Sequence, residues 1–179
     1  MNPRSSLSRK KQKSLSGFTL VEILVATAII GIIATIVLVA LGTARQKAKI
    51  ARAKSDTRNI YNAFVLLVED TGEWPGHKTP DVAECSSTLI NEICADGCPY
   101  SLSDCEAGLV CNDGNYEDWN GLYVGSSQLI DPWNNEYFFD TDYYDQTGEC
   151  IAVIGSYGPN GRGNNEYDED DIIFILPVK

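Results

Sequence analysis

The chain has 179 residues, 44% of them hydrophobic, which suffices for one modest domain with an added helix. Its formal net charge is -11, yet the bases are concentrated near the N-terminus, and after Asp70 only Lys78, Arg162 and Lys179 remain. An acidic C-terminal region repels nucleic-acid phosphates, so nucleic-acid binding by that region is not expected.

A basic leader precedes a long apolar run. Residues 1–17 carry five bases and no acid, and the 20 residues from Ile23 to Gly42 carry no charge, about the length of a membrane-spanning helix. The basic leader predicts a cytoplasmic N-terminus with the rest of the chain outside. A secretory signal peptide or plain signal anchor is the alternative, but the run is longer than a signal-peptide core, and no small-x-small cleavage site followed by a turn appears near Gly42. Glu22 lies within the apolar segment, where a lone carboxylate is costly and therefore predicts a partner.

The hexapeptide Gly17-Phe18-Thr19-Leu20-Val21-Glu22 resembles the processing site of type IV pilins and type II secretion pseudopilins. The resemblance implies that a prepilin peptidase cuts after Gly17 and that the new amine of Phe18 is methylated. It also implies that Glu22 serves assembly, by pairing with the Phe18 amine of a neighbouring subunit. The implied organisation is a cytoplasmic leader (1–17), a transmembrane helix (18–42), its extracytoplasmic continuation (43–71) and a globular head (72–179).

The segment from Thr43 to Glu69 contains no proline or glycine and predicts that the helix continues. Apolar residues and one threonine recur at spacings of three and four and predict one buried stripe: Ile50, Ala53, Thr57, Ile60, Phe64 and Leu67. The helix should end at Asp70-Thr71-Gly72, with Gly72 as the C-terminal cap.

Six bases and one acid occupy residues 45–58. One interpretation is a solvated face that contacts lipid phosphates. The other is contact with the acidic heads of neighbouring subunits, which high salt would weaken if the pairs are exposed.

Six cysteines follow the apolar run, and an even number outside the membrane predicts disulfides. They are Cys85, Cys94, Cys98, Cys105, Cys111 and Cys150. A zinc site is the alternative, but no CxxC pair exists and His77 is the only histidine. We expect a disulfide-rich loop at 85–111, one short helix near Ser86–Ile93, and a bridge from Cys150 that ties the loop to a sheet.

Strand-like runs occupy the rest of the head: 122–124, 136–139, 151–154 and 172–175. The expected fold is α+β, with the second half of the long helix packed on a small antiparallel sheet.

Two late segments resemble the major pseudopilin of type II secretion. Asp131-Pro132-Trp133 followed by Tyr137 is similar to its DPW-x-x-x-Y pattern, and Gly158-Pro159-Asn160-Gly161 with Asp170-Asp171-Ile172 is similar to its late loop. In that family the loop binds calcium, an ion that prefers oxygen ligands. The implied calcium ligands are Asn160, Asp168, Asp170 and Asp171. Asn160 stands where the family usually has aspartate, which should weaken the affinity.

No catalytic motif of the common enzyme classes is present, and we expect a structural subunit. The expected partners are copies of the chain and other pilin-like subunits, the prepilin peptidase and methyltransferase, an inner-membrane assembly platform and the lipid bilayer. The expected location is the cytoplasmic membrane, with the head outside the cytoplasm, and later a periplasmic or extracellular filament. A type IV pilus subunit and a membrane-tethered binding module that never polymerises are the alternatives.

Overall fold

The computed structural model describes residues 17–80, 83, 85, 92–95, 97–145, 147–161 and 168–177. The chain divides into two compact units, Met1–Thr43 and Ala44–Lys179. One helix, α1 (Leu20–Thr71), runs through the end of the first unit into the second. No proline interrupts these 52 residues, which is why the helix is continuous.

The C-terminal part of α1 packs on the head through the predicted stripe. Ala53, Thr57, Ile60, Phe64 and Leu67 are buried, and Ile50 is partly buried. Ala63 joins them as a further buried residue. The helix ends where expected, because Gly72 adopts a φ of 79° and its N–H donates to the carbonyl of Val68 at 2.8 Å.

The sheet has three antiparallel strands in the order β1 (Phe138–Tyr144), β2 (Cys150–Ser156) and β3 (Ile172–Ile175). Phe139 pairs with Ile154, and Ile154 pairs with Phe174. The register of β1 against β2 shifts between Asp140 and Tyr143, where the strand carries an irregularity of the bulge type.

The two faces of the sheet belong to different clusters, because successive strand residues point to opposite sides. The inner face packs on α1, with the ring of Phe139 edge-on to Phe64 at 5.0 Å and Phe174 beside Tyr61 at 5.0 Å. The outer face carries a smaller cluster: Cys94, Phe138, Tyr143, Ile151 and Val153. These observations confirm the α+β prediction.

Two strands differ from the expectation. The run 122–124 is not a strand, since the N–H groups of Tyr123 and Val124 both reach the single carbonyl of Leu109, at 3.0 and 3.4 Å. The first strand begins at Phe138 instead of Glu136 and continues to Tyr144. Its unexpected second half contains Asp140 and Thr141, two polar residues that are buried.

The helix expected near Ser86–Ile93 falls mostly outside the described residues. Its last residue, Ile93, is extended and forms a bridge with Phe139. The six cysteines form three disulfides: Cys85–Cys150, Cys94–Cys98 and Cys105–Cys111. The bridge from Cys150 ties the loop to β2 as expected, and the disulfides exclude a zinc site built from these thiolates.

Candidate functional sites

The start of α1 is closed by a capping box. The carboxylate of Glu22 accepts hydrogen bonds from the backbone N–H and the hydroxyl of Thr19, at 2.8 and 2.9 Å. The Thr19 hydroxyl in turn accepts from the N–H of Glu22 at 3.3 Å. A negative charge in the first turn also suits the positive end of the helix dipole. Gly17 and Phe18 directly precede this turn, so the structure brings the three predicted N-terminal residues together.

The sequence resemblance implies a partner for Glu22 in another subunit, and Thr19 is not among the predicted site residues. The signal for Thr19 was present, because threonine followed three residues later by glutamate before an apolar run is the pattern of a capping box. Within a single chain, the Glu22 carboxylate therefore has two donors of its own before any neighbour arrives.

Among the described residues, no neighbour covers the apolar side chains of the first unit. Leu24, Ile30, Ile36 and Val39 are exposed, and Phe18 is 84% exposed. By length and composition, α1 could cross a membrane, a test that core helices and signal sequences also pass. None of the most apolar 18-residue stretch of this helix is buried, which distinguishes the helix from a core helix and suggests membrane anchoring.

The structure brings two of the four predicted calcium ligands into contact. The side-chain amide of Asn160 lies 2.7 Å from Oδ2 of Asp168. The other oxygen of Asp168 accepts from the N–H of Asp170 at 2.9 Å, so this carboxylate also shapes the turn before β3. The described contacts of the Asp170 side chain do not include Asn160 or Asp168.

Asp171 faces the sheet. Its Oδ2 accepts from the Tyr143 hydroxyl at 3.0 Å and from the N–H of Asp168 at 3.3 Å. Its Oδ1 is buried and has no hydrogen-bond partner among the described residues. Burial is the main reason why the pKa of Asp171 rises to about 6, and the charges of Asp168 and Asp170 add to the rise.

Within the described residues, three metal-binding side chains converge only at Glu92, Cys94 and Cys98. Both cysteines of that group are joined in a disulfide, so their sulfur atoms are not thiolate ligands. The described loop acids do not form such a cluster. Asn160 presents its side-chain N–H to Asp168, so its amide oxygen would have to turn towards Asp168 before the two could share a cation.

The Asp131-Pro132-Trp133 segment forms a turn whose first residue, Asp131, is buried and holds the loop after β2. Asp131 accepts from the N–H groups of Trp133 and Asn135, both at 2.8 Å, and from the Ser156 hydroxyl at 2.6 Å. The Ser156 hydroxyl then accepts from the N–H of Gly158 at 3.1 Å. The two segments that carry the sequence resemblance are therefore linked through the Ser156 hydroxyl.

Gly158 makes the next contact possible. A Cβ at this position would lie 2.1 Å from the Asp170 carbonyl, and the φ of 64° also favours glycine. The glycine turn thus packs directly on the backbone of the acidic loop.

The turn after α1 contains the single histidine. The Nδ1 atom of His77 lies 2.6 Å from Glu73, its Nε2 lies 3.3 Å from Asp113, and its ring stacks on Tyr116 at 4.0 Å. Partial burial acts to lower the pKa of His77, but hydrogen bonds to Glu73 and Asp113 outweigh it and raise the pKa. The histidine joins the end of the helix to the loop that follows the Cys105–Cys111 disulfide.

Comparison with known families gives one match, to the prokaryotic N-terminal methylation motif over residues 13–38. No curated protein and no solved structure matches the chain. The matched segment includes Gly17, Phe18 and Glu22. The chain therefore carries the N-terminal signal of type IV pilin-like proteins, which supports processing by a prepilin peptidase.

Proposed function

We propose that the chain is a structural filament subunit, cut after Gly17, methylated on Phe18 and polymerised through the first part of α1. The methylation motif over residues 13–38 is the observation that carries this proposal. The exposed apolar surface of the first unit supports it, because that surface needs lipid before assembly and other subunits afterwards.

Processing and assembly are tested together by producing the full chain in membranes with a prepilin peptidase. Mass spectrometry should find an N-methylated Phe18 at the mature N-terminus, and sheared filaments should sediment. Glu22→Ala should still be cut but should sediment poorly, because the buried amine of the incoming subunit loses its partner.

Thr27→Ala is the matched control for this experiment. Thr27 lies in the same helix, and among the described residues its hydroxyl bonds only the Leu24 carbonyl, at 3.0 Å, so its loss should leave sedimentation unchanged. A chain that keeps Met1 rejects the filament proposal and favours the membrane-tethered binding module. Normal assembly by Glu22→Ala rejects the pairing mechanism alone.

Type II secretion is the filament class that we favour, with the head outside the cytoplasm. The Asp131 turn, its 2.6 Å bond to Ser156 and the acidic loop after Gly158 support this choice. A type IV pilus subunit for adhesion, motility or DNA uptake is the second candidate, which the three disulfides favour. The genes beside this one distinguish the two, since a secretion cluster and a pilus cluster encode different outer-membrane and motor components.

We also propose that the loop before β3 binds calcium through oxygens of Asn160, Asp168, Asp170 and Asp171. Two observations support the proposal: the Asn160 side chain lies beside Asp168, and a buried Asp171 oxygen has no hydrogen-bond partner among the described residues. A bound calcium would offset two of the five negative charges between Glu166 and Asp171 and fix the loop.

Calorimetric titration of the chain with calcium tests this site. We expect saturable binding and a higher melting temperature in calcium. Asp168→Asn removes one ligand charge, so it should lower the calcium affinity at least about tenfold and reduce the rise in melting temperature. Asp145→Asn changes a nearby acid outside the ligand set and should leave calcium binding unchanged. Absence of binding by the unmodified chain would sink the calcium proposal without affecting the filament proposal.

A further inference from the structure

The outer face of the sheet carries a groove of about 760 Å³ between the end of β1 and β3. Tyr143, Ile173 and Ile175 form its apolar floor. Ile175 is 56% exposed although its neighbour Phe174 packs on the core, so the C-terminal end of the outer face of β3 is left uncovered among the described residues.

The rim of this groove is acidic. Asp145, Asp168 and Glu169 line it together with Asp171, and no base lines it among the described residues. We refer to it as the acidic groove. An apolar floor inside a ring of carboxylates fits a partner that presents bases around aliphatic stems, and lysine and arginine side chains combine both.

The same chain supplies such a surface on α1. Lys47, Lys54 and Arg58 follow each other at spacings of seven and four residues and so lie on one helix face. All three are exposed, and none forms an ion pair with any residue that the structure describes. We refer to these three residues as the basic stripe.

We propose that the acidic groove of one subunit docks the basic stripe of a second copy. The inference rests on the proposed function, because it names a contact between subunits of the filament. The groove and the stripe are different surfaces of one chain, so the contact is heterologous when the same two subunits do not return it. A heterologous contact that does not close into a ring continues as an open helical assembly.

One member of the stripe is already close to acids of its own chain. Lys54 lines a smaller cavity of about 370 Å³ that Glu169 and Asp170 also line. Lys47 and Arg58 do not line that cavity, so these two bases distinguish contact between copies from contact within one chain.

A photocrosslinking amino acid, p-benzoylphenylalanine, in place of Ile175 tests the docking in the full processed chain within membranes. Illumination should give a crosslinked dimer, and the crosslink should map to residues 44–58 of the second copy. The yield should fall as salt rises to about 1 M, where charges are screened beyond about 3 Å.

Charge reversal in trans gives the sharper result. A crosslinker chain with Glu169→Lys, or a second tagged chain with Lys47→Glu and Arg58→Glu, should each lower the crosslink yield at least about threefold. Combining the two chains should restore most of the yield. Glu117→Lys in the crosslinker chain and Arg45→Glu in the tagged chain are the matched controls, since both residues are exposed and lie outside the groove and the stripe.

The outcomes separate the docking from the proposed function. If filaments sediment but the crosslink maps outside residues 44–58, to lipid or to another protein, the docking proposal is wrong. That outcome does not contradict the proposed function as a filament subunit. If each charge reversal lowers the crosslink yield but the combination of the two chains does not restore it, the proposed pairing of charges is wrong. A chain that is neither cut after Gly17 nor sedimented contradicts the proposed function itself.

Discussion

At the scale of single residues, Gly155 shows how one missing side chain sets the packing of the outer sheet face. A Cβ at this position of β2 would lie 2.3 Å from the ring of Phe138, which itself stacks on Tyr157 at 4.5 Å. Gly155→Ala must displace this ring, and we expect it to lower the free energy of unfolding by about 1–3 kcal/mol. Chemical denaturation measures the change.

Gly121→Ala is the control for this prediction. Nothing lies within 4 Å of a Cβ at Gly121, so the same substitution there should leave the free energy of unfolding nearly unchanged. Equal effects at the two positions would show that the Phe138 contact has no part in stability.

His77 makes the stability of the head depend on pH. Its pKa in the folded chain lies above the ordinary value of 6.5 because the carboxylates of Glu73 and Asp113 outweigh partial burial. The folded state therefore binds the proton more tightly than the unfolded state. The stabilisation is complete below pH 6.5 and disappears as the pH rises through the raised pKa.

Thermal melting of the unmodified chain and of His77→Gln, each followed between pH 6 and pH 8, tests this prediction. The unmodified chain should lose stability over that range, and His77→Gln should show a flatter profile. A parallel loss in both proteins would assign the pH dependence to other groups.

Residues with a signal in their local sequence were predictable. Residues whose role depends on strand pairing or on another distant contact were not. Gly72 follows a periodic helix and Glu22 interrupts an apolar run, so both stand out in the sequence. The role of Gly155 depends on its pairing with Phe138 across two strands, which no local pattern contains. Asp131 was visible only as part of a resemblance, because its bond to Ser156 spans 25 residues.

At the scale of elements, the disulfides differ in how much chain they close. Cys85–Cys150 spans 65 residues, whereas Cys94–Cys98 spans 4. The loop entropy removed from the unfolded state predicts a stabilisation of about 4 kcal/mol for the first and about 2 kcal/mol for the second.

Paired serine substitutions test the difference. Cys85→Ser with Cys150→Ser should lower the free energy of unfolding about twice as much as Cys94→Ser with Cys98→Ser. Denaturant titration of both variants measures it, and a larger loss from the short loop would contradict the entropic explanation.

The elements predicted best are those with regular patterns. The stripe on α1 and the β-branched runs of β2 and β3 were found because periodicity and composition agree there. The first strand was predicted too short, since Asp140, Thr141 and Asp142 look like a turn. Burial raises the pKa of Asp140, and the neighbouring Asp142 raises it further, so its neutral form is tolerated inside the sheet.

At the scale of the whole molecule, the division at Thr43 and Ala44 predicts that the second unit folds alone. A chain starting at Ala44 keeps the whole buried stripe, whose first fully buried residue is Ala53. It should stay in solution and unfold in one cooperative transition in calorimetry.

A chain starting at Asn59 is the control for this truncation. It loses Ala53 and Thr57 from the core and should melt at a lower temperature or lack a cooperative transition. Aggregation of the chain that starts at Ala44 would show that the head depends on the first unit.

The nesting of the disulfides also fixes the order in which the paired cysteines are synthesised. Both short loops lie inside the 65-residue interval closed by Cys85–Cys150, so all their cysteines emerge before the last partner does. Cys85 must stay a thiol while four cysteines nearer in sequence are synthesised, and each of them could form a non-native disulfide with it. Early closure of the two short loops removes those competitors, which leaves Cys85 free for Cys150 when β2 arrives.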